Sequence, residues 1–143
     1  MFAAGLSSTT KGVDASDKDS CNDGVSIARK VADKYGCICA ITGAVDIISD
    51  GERVAAISNG HKMLSRVTGT GCMTTALVAS FAAASDDLFI SAAGGVASMG
   101  IAGEIAYQES GKAGTGSFHI SIIDALSNLD KDLFLKKAKI DEK

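Results

Sequence analysis

A glycine-rich loop directly precedes a long apolar run near the middle of the sequence, and a cysteine stands where the two meet. The junction reads Gly69, Thr70, Gly71 and Cys72. The first N–H groups of a helix have no partner inside the helix, and they carry the positive end of its dipole. Because glycines leave these groups unobstructed, the four residues could form an anion hole for a phosphate or for a phosphoryl group in transfer.

Cys72 would lie in the first turn of the helix that follows this loop. A thiol in that position has its thiolate form favoured by the helix dipole, which makes a catalytic role possible. A plainer interpretation also stands, in which the cysteine is a small buried residue and the Gly-Thr-Gly sequence is an ordinary turn. The sequence contains neither a P-loop motif nor the third glycine of a dinucleotide-binding fingerprint.

A second candidate contact is Thr42, which follows a short apolar run at 37–41. An all-apolar run of this length is typical of a strand covered on both faces, as in a parallel sheet. Ligands of open α/β sheets bind just beyond the carboxyl ends of such strands. Thr42 could therefore contact a nucleotide, or it could be a plain exit from the strand.

The surrounding pattern predicts the elements that position these residues. We expect helices at 19–35, 71–84 and 91–109 and a further helix after a loop at 111–118, and a hairpin turn at Asp50-Gly51 with a second turn at Asn59-Gly60. The 71–84 helix is apolar nearly all round, so we expect it to be buried. Asp46 is expected to brace a turn, Glu104 to face solvent and His61 to be a packing residue.

Composition narrows the possible functions. A net charge of −3 and an aromatic content of 5% argue against a nucleic-acid binder. The longest apolar stretch, 92–103, is too short to span a membrane, and the amino terminus lacks the features of a signal peptide. The four cysteines form no C-x-x-C pair, so we expect no metal site in this chain. A single domain over residues 1–143 and a cytoplasmic location are the expectations.

Four motifs in order along the chain resemble those of the hydroxyethylthiazole kinases of thiamine biosynthesis, which belong to the ribokinase-like superfamily. The motifs are KGVD at 11–14, ITGAVDIISDG at 41–51, NGHKMLSRVTGTGC at 59–72 and GTGSF at 114–118. The resemblance implies an α/β, ribokinase-like fold, of which this chain would be the C-terminal half of a doubly wound sheet domain with flanking helices. One departure is Thr115, which stands where the family usually has proline.

The resemblance also implies an activity and the residues that carry it. The family transfers a phosphoryl group from ATP, with Mg²⁺, to the hydroxyl of 4-methyl-5-(2-hydroxyethyl)thiazole. Gly69, Thr70, Gly71 and Cys72 match the anion hole, Gly69 matches a substrate-binding glycine, and Cys72 matches the catalytic position. Thr42 matches a nucleotide-binding threonine. The thiazole pocket and the Mg²⁺ ligands are expected to precede Met1, and a homotrimer is the implied assembly.

Two alternatives remain open at this stage. The chain of 143 residues could be a truncated or split fragment without activity of its own, acting as a structural or weak nucleotide-binding piece. It could also derive from another ribokinase-like kinase that acts on a different heterocyclic alcohol. The cysteine at position 72 favours the thiazole kinases over that last alternative, because most of the superfamily has aspartate there.

Overall fold

The computed structural model describes residues 21–143. The predicted helix start at 19 and the KGVD motif at 11–14 therefore lie outside the described residues. The helices are α1 (Cys21–Tyr35), α2 (Thr70–Ala82), α3 (Leu88–Ser110), α4 (Thr115–Ser127) and α5 (Lys131–Lys137), with short 3₁₀ helices at Lys62–Arg66 and Gly111–Ala113; the strands are β1 (Cys39–Ile41), β2 (Asp46–Ser49), β3 (Val54–Ile57) and β4 (Ile140–Glu142). The described residues divide into two compact units, one comprising 21–56 with Asp141–Lys143 and the other Ile57–Ile140.

In the first unit, the strands form a sheet in the order β1-β2-β3-β4. β1 runs antiparallel to β2, with Cys39 opposite Ser49 and Ile41 opposite Ile47. The expectation of a strand covered on both faces, as in a parallel sheet, is therefore wrong: Ala40 is exposed and its two neighbours are only partly buried. The physical reason is the short connection to β2, since parallel strands need a crossover of a dozen or more residues.

The predicted hairpin between β2 and β3 is confirmed at Asp50-Gly51. Gly51 has a φ of +103°, a left-handed conformation that favours glycine. The Oδ1 atom of Asp50 accepts hydrogen bonds from the backbone N–H groups of Glu52 and Arg53, at 3.1 and 2.6 Å. The second predicted turn, at Asn59-Gly60, is wrong because this stretch is neither turn nor bend.

A small apolar core fills the first unit between α1 and the sheet. Ala28 of α1 is fully buried against Ile47 of β2 and Val54 and Ala56 of β3. α1 ends where predicted, because Gly36 adopts a φ of +59° directly after it. This packing fixes β2, the strand that follows the connection containing Thr42.

The second unit is built on α3, which packs against both α2 and α4. Every residue from Ser91 to Gly103 is buried, which the abundance of glycine and alanine in this helix permits. The helix begins where Asp87 caps it, accepting hydrogen bonds from the N–H groups of Phe89 and Ile90 at 3.0 and 3.1 Å. The Leu88–Ala113 stretch is long and apolar enough to cross a membrane, but 72% of its 18-residue apolar window is buried inside the protein, as in a core helix.

Two further expectations about helices need correction. α2 was expected to be buried, yet none of its residues is buried in the structure. Among the described elements α2 packs chiefly on α3, which covers only one side of it, so the other side stays exposed. The predicted loop at 111–118 is also too long: Gly114, with a φ of +124°, ends it, and α4 begins at Thr115.

Candidate phosphate-binding site

The loop at the start of α2 has the geometry that an anion hole requires. Gly69 is the N-cap residue, with a φ of +99°, and no side chain caps the helix. The first donor inside the helix is the N–H of Met73, which bonds to the carbonyl oxygen of Gly69 at 2.9 Å. The N–H groups of Thr70, Gly71 and Cys72 thus precede the intrahelical hydrogen bonds and are available to a ligand.

This loop is also open to approach. Gly69, Gly71 and Cys72 are exposed, and a Cβ atom added to either glycine would meet no other atom within 4 Å. The left-handed conformation of Gly69 is one that L side chains rarely adopt, so the backbone requires glycine there. Gly71 does not have a positive φ, so its backbone does not require glycine. What the missing side chain provides at this position is free space beside the backbone N–H groups.

Thr70 anchors the loop through its side chain. Its hydroxyl Oγ1 donates toward the carbonyl oxygens of Leu64 and Val67, each at 3.2 Å. The hydroxyl is therefore turned back toward the Lys62–Arg66 helix and does not cap α2. Thr70 can contribute its backbone N–H to a ligand while its side chain holds the loop in place.

Cys72 is an exposed free thiol in the first turn of α2. The alternative that it is a small buried residue is wrong. Exposure removes one objection to a chemical role, because an alcohol could reach the sulfur atom. The structure thus combines three adjacent backbone donors and a thiol in one accessible turn.

A cavity of about 400 Å³ lies beside the segment that leads into this loop. It is lined by His61, Lys62, Met63, Ser65, Arg66, Tyr107 and Gly111. The rings of His61 and Tyr107 stack with centroids 3.6 Å apart and planes at 20°. The imidazole Nδ1 also accepts a hydrogen bond from the N–H of Met63 at 3.2 Å, so the prediction that His61 is a packing residue is confirmed.

Glu104 holds the start of this segment, and the expectation that it faces solvent is wrong. Its Oε1 atom accepts hydrogen bonds from Gly60 N–H, Asn59 Nδ2 and Lys139 Nζ, at 3.0, 3.2 and 3.0 Å. Burial raises the pKa of the carboxyl, but these hydrogen bonds outweigh it, so the pKa lies below its usual value. Sequence reasoning missed this role, although helical spacing places Glu104 on the face of Gly100, which packs on Asn59.

Thr42 belongs to the first unit, whereas Gly69, Thr70, Gly71 and Cys72 belong to the second. Thr42 is exposed and directly follows β1. The next residue, Gly43, donates its N–H to Oδ1 of Asp46 at 2.8 Å, which confirms the prediction that Asp46 braces a turn. Burial raises the pKa of the Asp46 carboxyl to about 6, although the hydrogen bond from Gly43 opposes this rise.

Among residues 21–143, no group of three or more His, Cys, Asp or Glu side chains could hold a metal ion.

Comparison with known proteins decides the family. The family model described as the hydroxyethylthiazole kinase family matches residues 1–132. The chain belongs to the hydroxyethylthiazole kinase family. Family members named hydroxyethylthiazole kinase include those of Ruminiclostridium cellulolyticum, 57% identical over 99% of this chain and 52% of its own length, and Clostridium beijerinckii, 58% identical over the same shares.

A solved hydroxyethylthiazole kinase structure from Pyrococcus horikoshii OT3 is similar as well. It superposes with a TM-score of 0.79 at 37% identity, covering 85% of this chain and 47% of that one. This similarity confirms the predicted α/β, ribokinase-like fold. The chain thus spans about half the length of the kinases of this family that it matches.

Proposed function

We propose that the protein to which this chain belongs phosphorylates the hydroxyl of 4-methyl-5-(2-hydroxyethyl)thiazole, using ATP with Mg²⁺, in thiamine biosynthesis or salvage. The observation that carries the proposal is the uncapped start of α2, where Gly69 is left-handed and no side chain caps the helix. Membership of the hydroxyethylthiazole kinase family supports it. A cytoplasmic location and a homotrimeric assembly are parts of the same proposal.

The roles of the residues follow from what phosphoryl transfer needs. The transferred group passes through a transition state rich in negative charge, so positioning and charge stabilisation contribute most to the rate. The N–H groups of Thr70, Gly71 and Cys72 would supply that stabilisation, while Gly69 allows the substrate alcohol to approach. Thr42 would contact the nucleotide.

Cys72 would help to orient the attacking alcohol and accept its proton late in the transfer. A neutral thiol is poorly matched to an alcohol for full proton removal before attack, so the thiol is an aid rather than a requirement. Its exposure in the first turn of α2 is consistent with this role.

The experiment uses the complete protein and the 143-residue chain side by side. Each is incubated with Mg-ATP and hydroxyethylthiazole, and phosphorylated thiazole is measured by mass spectrometry. We expect turnover by the complete protein. Absence of product from a folded complete protein would refute the proposed activity, and preference for another heterocyclic alcohol would redirect it within the superfamily. Activity of the chain alone would exclude the inactive-fragment alternative.

A further inference from the structure

The connection between β1 and β2 is short and is held together by one side chain. The antiparallel register places Ile41 opposite Ile47, so the next pair outward is Thr42 and Asp46. Within this connection, the Oδ1 atom of Asp46 accepts a hydrogen bond from the N–H group of Gly43 at 2.8 Å. The hydrogen bond fixes the backbone immediately after Thr42.

Asp46 is partly buried, whereas Thr42 beside it is exposed. Within residues 21–143, the N–H of Gly43 is the one hydrogen-bond donor to this carboxyl. Burying a carboxyl group that has few partners is costly, and a packing residue would avoid the cost. The position of Asp46 is therefore explained by its hydrogen bond to the connection, in which Thr42, Gly43 and Ala44 are exposed.

We propose that Asp46 is a positioning residue for the nucleotide contact of Thr42. The brace to Gly43 holds the backbone of the connection, so that the hydroxyl of Thr42 meets the nucleotide without first having to be ordered. Ordering a loop residue on binding costs free energy, and a residue already held in place avoids that cost. This inference rests on the assignment of Thr42 as a nucleotide contact in the proposed function.

The test uses the complete enzyme with the variants Asp46→Ala, Asp46→Asn and Thr42→Ala. For each, the Kd for ATP, the KM for hydroxyethylthiazole and kcat are measured. We expect Asp46→Ala to weaken ATP binding about 10-fold, the size of one lost hydrogen bond to a charged group. The KM for the thiazole should stay within roughly 2-fold, and Asp46→Asn, which keeps an acceptor oxygen, should restore most of the ATP affinity.

A double variant separates positioning from general damage to the fold. If Asp46 acts through Thr42, the pair Thr42→Ala and Asp46→Ala should lose no more ATP affinity than Thr42→Ala alone. Should Asp46→Ala fail to fold, Asp46→Glu replaces it, because the longer side chain displaces the carboxylate from the N–H of Gly43. Weakened ATP binding by that variant supports the inference.

The outcomes separate this inference from the proposed function. If Thr42→Ala weakens ATP binding while Asp46→Ala and Asp46→Glu leave it unchanged, Asp46 is not a positioning residue and the inference is overturned. If Thr42→Ala itself leaves ATP affinity unchanged, the assignment of Thr42 in the proposed function is wrong, and the inference is lost with it. Equal losses in ATP and thiazole binding would show a merely structural role and would also overturn it.

Discussion

Gly95 of α3 lies so close to Val78 of α2 that a Cβ atom at position 95 would be 2.6 Å from the Cα atom of Val78. Real Cβ atoms do not approach a backbone atom so closely, so a side chain at this position would push the two helices apart. Since α2 begins with the candidate anion hole, this contact fixes the helix whose first turn we propose as the phosphoryl-binding site.

Gly95→Ala should therefore lower the free energy of unfolding by about 1–3 kcal/mol, the usual cost of overpacking a core. Urea unfolding of the complete protein measures it. Gly116→Ala in α4 is the matched control, since a Cβ there meets nothing within 4 Å and alanine is the better helix former. If both variants were equally stable, the close packing of α2 on α3 would be refuted.

The two glycines of the anion hole should respond differently to alanine. Gly69→Ala should destabilise the protein by about 1–2 kcal/mol, because alanine strains the left-handed backbone at a φ of +99°. Gly71→Ala should leave stability unchanged or raise it by up to about 1 kcal/mol, because alanine favours the helix. Both should reduce phosphorylation, since a methyl group would obstruct the anion.

Thermal unfolding and kcat/KM of the complete protein check this pair. The decisive variant is Gly71→Ala, in which activity should fall although stability is unchanged or higher. Full activity in Gly71→Ala would mean that the free space beside the glycine is not used by a ligand.

Cys72→Ala should slow phosphorylation without abolishing it, by roughly 10- to 100-fold, at or below the lower end of what general acid–base catalysis contributes. The fold should be unaffected, because the thiol is exposed. Steady-state kinetics with varied ATP should show the loss in kcat rather than in KM. Cys37→Ala, which removes another exposed thiol, is the control and should behave as the wild type. Unchanged kcat in Cys72→Ala would remove the cysteine from the mechanism.

The stability of the protein should depend on pH through Asp46. The pKa of its carboxyl is about 6 in the folded chain against 3.8 as its ordinary value, so the folded state binds the proton more tightly. The resulting stabilisation is present in full below the unfolded pKa and is lost as pH rises through about 6, by up to about 3 kcal/mol. Asp46→Asn cannot ionise and should lack this loss. The stability of the variant relative to the wild type should therefore be greater at pH 7 than at pH 4.

Asp50→Asn in the same hairpin is a control of opposite sign. Burial raises the pKa of Asp50, but the hydrogen bonds and charge of Arg53 outweigh it and hold the pKa below its usual value. Its contribution to stability is therefore present at neutral pH and lost as pH falls through that lowered pKa. Urea unfolding of both variants from pH 3 to 8 measures the difference, and parallel curves for Asp46→Asn and the wild type would refute the raised pKa.

Local signals in the sequence predicted several local features, although the turn expected at Asn59-Gly60 does not form. The Asp50-Gly51 pair gave the hairpin because its geometry needs only a neighbouring glycine with positive φ. The uncapped glycine loop before α2 was likewise predictable from residues that are adjacent in sequence. Thr42 and its exit from β1 were found for the same reason, since the end of an apolar run is visible in the sequence.

Features that depend on distant partners were not predictable. The antiparallel pairing of β1 reflects which strand lies beside it, and an apolar run of five residues does not encode that. The exposure of α2 depends on how much of its surface α3 covers, not on its composition. The hydrogen bonds of Glu104 to Gly60 and Lys139 join residues 44 and 35 positions apart, so no local pattern could reveal them.

The most direct test is a crystal structure of the complete protein with ADP, Mg²⁺, the thiazole alcohol and a planar metal fluoride, which mimics the phosphoryl group in transfer. The backbone nitrogen atoms of Gly71 and Cys72 should lie about 2.7–3.1 Å from fluorine atoms of the mimic. A mimic that binds elsewhere, with the start of α2 facing only water, would contradict the claim that this loop holds the transferred phosphoryl group.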